Sequence, residues 1–328
     1  MSNNLISSNG PKLRKVRQLV NRISLIARLK YRGIRIAGGV TLDILGHFGY
    51  GDRCIIGKNA ILNIPKAGKL TLGSNCYIGR YVEIGTGNTI TIGNHSSIQD
   101  RSVILGDITI GDNCLFSYNV YISSGRHYFD FKPWLSIRQQ DKLVGQDKIL
   151  AVAHSRPVVI EDDCFIGINV VIMPGITIGK GVVIGANSVV TKNVSPYSII
   201  GGSPARLIKK RLEFYPPKKI DFAIEQDEPY FYSGFNSHNR GIVDGIQARD
   251  FFTIFLNTQA ISSVHLIIKA LQTQGAELRL NDSYAVNITD KMNEVVFQVE
   301  KGIDNKLCFC VSPENSGTDF VVQKAWVE

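Results

Sequence analysis

Nowhere in the 328 residues is there an apolar run approaching the ~20 that a membrane-spanning helix needs. The N-terminus also lacks the uninterrupted apolar stretch of a secretory signal. These two absences lead us to expect a cytoplasmic protein. Cysteine is sparse, six residues with no zinc-type C-x-x-C spacing. A disulfide framework is excluded in a cytosolic chain, and we expect neither a metal site nor thiol chemistry. Acids are missing from residues 1–36, which carry nine Lys or Arg, so the net charge of +9 resides wholly in that segment.

Within the basic segment, Leu13, Val16, Val20, Ile23 and Ala27 are spaced as one stripe of a helix. Such a helix either packs its stripe on the body or a neighbouring subunit, or lies on an anionic membrane face as a peripheral anchor. No nucleic-acid recognition motif accompanies the charge, so no nucleic-acid partner is expected. Otherwise the composition, 44% hydrophobic and 20% charged, is that of a globular protein with ample core.

What is present in abundance is a period of six. Leu72, Ile78 and Ile84 begin the series, Ile92, Ile98, Ile104, Ile110, Phe116 and Ile122 continue it, and Ile160, Ile166, Ile172, Ile178, Ile184 and Val190 complete it. Eight of these fifteen anchors are followed by glycine. Six fits neither a helix nor an alternating strand, but it does fit one edge of a coil: about four strand residues and a two-residue corner. Three edges close a triangular coil, and stacked coils form a parallel β-solenoid with the anchors inside. Glycine beside the anchor serves a turn at φ > 0 or a close backbone approach. Cys54, Cys76, Cys114 and Cys164 share one slot of the repeat, as small buried hydrophobes.

Ile160 stands 38 residues after Ile122, and the stretch between them has no hexads and is rich in aromatic and charged side chains. A loop of this length in a compact domain is uncommon unless it is functional or disordered. From about 220 the texture changes to short alternating strands (VHLIIKAL, AELRLNDSYAVNI, EVVFQVEKG, KLCFCVS, DFVVQKAWV), the pattern of a β-sandwich or jelly roll. The divisions expected are therefore a basic helix over 1–36, a solenoid over 37–204 with an extruded loop over 123–158, a helix and linker over 205–219, and a β-sandwich over 220–328.

The stretches GVVIGANSVVTKNVSPYSIIGGSPARLIKKR and ISSGRHYFD resemble the hexapeptide-repeat acyltransferases, in particular the maltose, galactoside and nodulation-factor O-acetyltransferase branch. That resemblance implies a left-handed β-helix, a homotrimer, acetyl-CoA as donor, and His127 as the base that takes the acceptor's hydroxyl proton. Asp130, the nearest carboxylate, or a backbone carbonyl would orient the imidazole. It further implies the Ile168 N–H as oxyanion donor, Phe165, Ile168 and Ala186 along the donor's channel, and Lys192, Arg206 and Lys209 on its phosphates. On the acceptor side it suggests Asp100, Arg101 and Asn119, with Tyr128, Trp134 and His154 from the loop.

The activity expected is O-acetylation of a sugar in a bacterial surface polysaccharide (capsule or O-antigen) or its precursor. An N-acetyltransferase of an amino sugar or antibiotic, and a non-catalytic scaffold with a glycan-binding module, are the alternatives. The C-terminal module either binds the glycan acceptor or extends a subunit interface.

Overall fold

The computed structural model describes Ala27, Leu29, Tyr31 and residues 33–153, 155–235, 245–259, 261–271, 276–299, 303–311 and 317–328. Most of the expected N-terminal stripe, and His154, lie outside the described residues. The chain divides into two compact units, Met1–Leu212 and Glu213–Glu328.

The first unit is a parallel β-solenoid of triangular coils. Its interior is three apolar columns, each a line of in-register partners. One runs Ile36, Ile56, Ile78, Ile98, Phe116, Ile166, Ile184 and Ile200. A second runs Leu42, Leu62, Ile84, Ile104, Ile122, Ile172 and Val190. The third runs Tyr50, Leu72, Ile92, Ile110, Ile160 and Ile178. All fifteen anchors of the sequence period are at most 1% exposed. Leu29 also reaches this core, whereas Ala27, the last member of the expected stripe, is exposed.

The corner chemistry divides between two residue types. Asn59, Asn75, Asn113, Asn119, Asn169 and Asn187 hold six of the left-handed turns, at φ 58–59°, a region asparagine tolerates. The glycines after the anchors serve the other need. A Cβ on Gly73 would lie 2.6 Å from the backbone nitrogen of Asn94, so the coils can stack only where a side chain is missing. In the cysteine slot, each thiol donates to a carbonyl of the next coil: Cys54 to Gly73 (3.0 Å), Cys76 to Gly93 (3.1 Å), Cys114 to Glu161 (3.2 Å) and Cys164 to Gly179 (3.2 Å). The neighbouring Cys114 thiol and burial push the Cys164 thiol well above its ordinary value, so it stays protonated.

The break in the period is an extrusion from one corner. Ile160 pairs with Ile110 and takes the anchor place one step after Ile122, so 38 residues stand where six are due and 32 are in excess. The excursion carries two helices, α1 (Ile137–Gln146) and α2 (Lys148–Ala153). A capping box starts α1: the Ser136 hydroxyl accepts the Gln139 N–H, and the Gln139 side chain accepts the Ser136 N–H at 3.0 Å. Gln140 and Val144 form its buried face.

At the other end, Arg206–Lys210 is a strand, antiparallel to Ser198–Gly201. The helix expected there does not form, because the free edge of the last coil offers a ladder that outweighs helical propensity. The second unit is a nine-stranded antiparallel sheet in which Ile246–Phe255 is shared, pairing at its start with Phe320–Val327 and at its end with Lys306–Val311. Alternate residues enclose one apolar core, with Phe252 stacked on Phe309 at 4.9 Å. His265, itself buried, is held between Ser263 and Glu294, each at 2.8 Å, and lies against Trp326.

Candidate active site

The extruded segment presents one imidazole to solvent with its back fixed. His127 is 84% exposed at the side chain, and its Nδ1 lies 2.7 Å from Asp141 Oδ2. The other oxygen, Oδ1, accepts the Tyr128 N–H at 2.8 Å. Tyr128 and then His127 hold the Asp141 carboxyl below the usual carboxylate range. Asp141 is on α1, whose capping box and buried Gln140 anchor it: the Gln140 side chain donates to Leu135 O (3.0 Å) and accepts from Lys132 N–H (2.9 Å). With Nδ1–H donated to a carboxylate, the lone pair is on Nε2, directed away from the protein, where a base is needed.

Asp130, the carboxylate expected to do this work, pairs instead with Arg126 at 3.0 Å. The Arg126 guanidinium lies 5.6 Å from the Tyr128 ring centroid and 5.7 Å from that of Phe129, closing a small local cluster. Trp134 is 77% exposed.

A second feature stands on the corner after Phe165–Ile166. The Ile168 carbonyl accepts the Asn187 N–H at 2.8 Å, but its own N–H makes no hydrogen bond among the described residues. The reason lies one coil on. Lower on the same corner the Asp100 carboxylate caps the Arg80 N–H at 2.8 Å, whereas Ala186, stacked on Ile168, has no acceptor to offer. An open N–H on a rigid corner can stabilise a developing oxyanion. Phe165 stands on the adjacent outer face, in register with Leu115 and Val183, and is 44% exposed.

Three cations meet at the C-terminal end of the solenoid. A pocket of about 330 Å³ is lined by Val190, Lys192, Ser198, Ala205, Arg206 and Lys210 among others. Lys210 Nζ donates to Ser198 Oγ at 3.0 Å. Lys209, expected among the cations, is one residue out of phase on the strand and is not among the lining residues, whereas Lys210 is.

Of the expected acceptor contacts, Asp100 is occupied: besides the Arg80 N–H it holds Arg80 Nε at 2.7 Å, and its side chain is 10% exposed. Asn119 donates to Asn169 (3.2 Å), which donates to Asn187 (2.9 Å), forming an amide ladder along the corner. Arg101 is exposed. The residues that sequence reasoning passed over are Asp141 and Lys210. For Asp141 the available signal was Ser136-x-x-Gln139, which announces a helix in the extruded segment.

Comparison with known proteins agrees with this architecture. The family described as bacterial transferase hexapeptide (six repeats) matches residues 89–124, and that described as hexapeptide repeat of succinyl-transferase matches residues 157–192. The Escherichia coli galactoside O-acetyltransferase is 33% identical over 142 residues, 43% of this chain and 63% of that protein. The Escherichia coli protein WcaF, assigned to colanic acid biosynthesis as an acetyltransferase, is 29% identical over 162 residues, 48% of this chain and 70% of that protein. A Morganella morganii chloramphenicol acetyltransferase is 64% identical over 68 residues, 21% of this chain and 31% of that protein. The chain spans about half the length of the curated relatives it matches.

Proposed function

The chain belongs to the hexapeptide-repeat acyltransferases, and from that premise we propose that it moves acetyl from acetyl-CoA to a sugar hydroxyl of a bacterial surface polysaccharide or its precursor. The observation that carries this reading is the exposed His127 backed by Asp141. Nε2 takes the proton of the attacking hydroxyl as its oxygen bonds to the thioester carbonyl carbon. The Ile168 N–H stabilises the oxyanion so formed. Collapse breaks the carbon–sulfur bond, and the imidazolium returns its proton to the leaving thiolate. Nothing is held covalently on the protein between donor and acceptor.

The donor's phosphates fit the Lys192, Arg206 and Lys210 pocket, where Arg grips through two donors and Lys acts as a point charge. Phe165 offers an apolar surface for the donor's arm. His127 follows the strand Tyr121–Ser123, and Ile168 precedes that strand's in-register partner Val171–Ile172, so the two leave one face of the coil at opposite ends. We therefore place the active centre between copies in a homotrimer, His127 from one and the Ile168 N–H from the next. On this reading the protein works in the cytoplasm, and its basic N-terminal segment rests against an anionic membrane face. The second unit serves to engage the glycan.

The carbohydrate reading is supported by the galactoside and colanic acid relatives, whose matches run over 142 and 162 residues. A second reading, acetylation of an antibiotic or amino sugar, draws on the higher identity to the chloramphenicol enzyme over a short stretch. The test is His127→Ala. Acetyl transfer should fall by about 10²–10⁴-fold while acetyl-CoA binding persists. Near wild-type transfer by that variant would sink the proposal. An alkali-stable product would favour an amide, and with it the second reading.

A further inference from the structure

The corner that bears Ile168 continues down the solenoid as a line of paired residues: Lys58 and Asn59, Arg80 and Tyr81, Asp100 and Arg101, Tyr118 and Asn119, Ile168 and Asn169. Each second residue donates its N–H to the carbonyl of the first residue one coil below, which fixes the order along the edge. Of the five left-handed positions on this corner three hold asparagine, and Tyr81 (φ 57°) and Arg101 (φ 60°) occupy the other two. Bulky residues are disfavoured in that conformation, while their neighbours at 59, 119 and 169 are all asparagine. Arg53, His95 and Tyr197 hold the same conformation at other turns of the solenoid, so it is the chemistry of the side chains on this edge that assigns them a use.

Those side chains, with their neighbours, have one chemical character. The Arg80 side chain is 62% exposed, and Asp100 pins both its backbone N–H and its Nε, leaving the two terminal amino groups of a preset guanidinium directed outward. Arg101 and Lys58 are exposed on the coils above and below. The one acid of this line, Asp100, is committed to Arg80. Glu83, an exposed carboxylate on the neighbouring face, forms no ion pair with Arg80 or Arg101 among the described residues. The exposed rings of Tyr81 and Tyr118 alternate with the cations, flat surfaces of the kind on which sugar faces stack.

We propose that this edge is an anion-binding track, and that the acceptor is an acidic glycan bearing a carboxylate or phosphodiester about 10 Å from the hydroxyl that is acetylated, two coil spacings of ~4.8 Å below Ile168. Arg80 and Arg101 grip the anion through paired N–H donors, and Tyr81 and Tyr118 carry the sugar rings. The proposal rests on the acetyl-transfer reading for the position of the hydroxyl, but the track can be tested without turnover.

The experiment is calorimetric titration of the full chain with oligogalacturonate as the carboxylate probe, poly(glycerol phosphate) as the phosphodiester probe and dextran as the neutral one. At least one charged probe should bind tenfold or more tightly than dextran, and the tighter of the two identifies the anion. Arg101→Asn installs the residue its neighbouring corners already use, so it should fold, and Arg80→Gln keeps a donor for Asp100. Each should weaken the charged probe about tenfold, leave dextran unchanged and leave acetyl-CoA binding intact. Equal affinity for charged and neutral probes, or charged-probe affinity unchanged in Arg101→Asn, would overturn the track. Charged-probe binding without acetyl transfer would instead sink the proposed activity and leave the track standing.

Discussion

The pairing of His127 with Asp141 makes an unusual prediction about which substitution harms more. In Asp141→Asn, the Tyr128 N–H still requires an acceptor, so the amide oxygen stays where Oδ1 is, 2.8 Å from that nitrogen. The amide NH₂ then faces His127 Nδ1 across the 2.7 Å contact and donates to it. That fixes the ring proton on Nε2, the nitrogen that must accept the hydroxyl proton. Asp141→Ala imposes no tautomer, and the exposed ring can still present a basic Nε2 part of the time. A positioned general base contributes about 10²–10⁴-fold, so we expect kcat to fall by about 10²-fold in the Asn variant and by about tenfold in the Ala variant. KM for acetyl-CoA should be unchanged in both.

Steady-state kinetics gives the rates, and long-range ¹⁵N–¹H correlation of His127 reports the tautomer directly. The carboxyl is held below its ordinary value of ~3.9, so its contribution is present above that value and lost only as the pH falls through the depressed one. Assays near neutrality therefore sample the intact pair. Equal rates in the Asn and Ala variants, or a ring proton remaining on Nδ1 in Asp141→Asn, would refute the reasoning.

Three other outcomes follow from the same geometry. Lys210→Ala should raise KM for acetyl-CoA about five- to tenfold, whereas Lys209→Ala should change it less than about twofold, since only Lys210 lines the cationic pocket. Gly73→Ala would put a Cβ 2.6 Å from the Asn94 nitrogen and should cost about 1–3 kcal/mol in denaturant unfolding, because backbone cannot swing aside. Co-assembly of His127→Ala with Ile168→Pro, each inactive alone, should restore about a quarter of wild-type activity if each centre draws on two copies. Inactive hybrids, once verified by native mass spectrometry, would place both groups in one chain.

The solenoid was legible because its cause is local and repeated. An apolar residue every sixth position has one place to go, and all fifteen anchors are in the interior. The same repetition made the cysteines readable as core. Legibility ended where the repeat did. Asp141 is fourteen residues from His127, in a segment whose fold depends on a capped helix docking through Gln140 and Val144, so proximity in sequence favoured Asp130 instead. Asp130 is taken by Arg126, a contact four residues apart that needs no knowledge of the fold. The ARLIKKR stretch was misread for the opposite reason: its helical propensity is local, while the strand edge that claims it belongs to the last coil. Lys210 and Lys209 differ only in strand phase, which follows from that pairing. The open N–H at Ile168 was reached only through family resemblance; the structure supplies the reason it is open in the missing acceptor at Ala186.

The central claim is a direct acetyl transfer from thioester to sugar hydroxyl with His127 as base. Its most immediate measurement incubates the protein with acetyl-CoA and purified capsular and O-antigen glycans, following thiol release and added acetyl mass together. The account predicts one acetyl gained per thiol released, an alkali-labile ester, and loss of both signals in His127→Ala. Thiol release with no gain in glycan mass, or equal acetylation by the His127 variant, would contradict it.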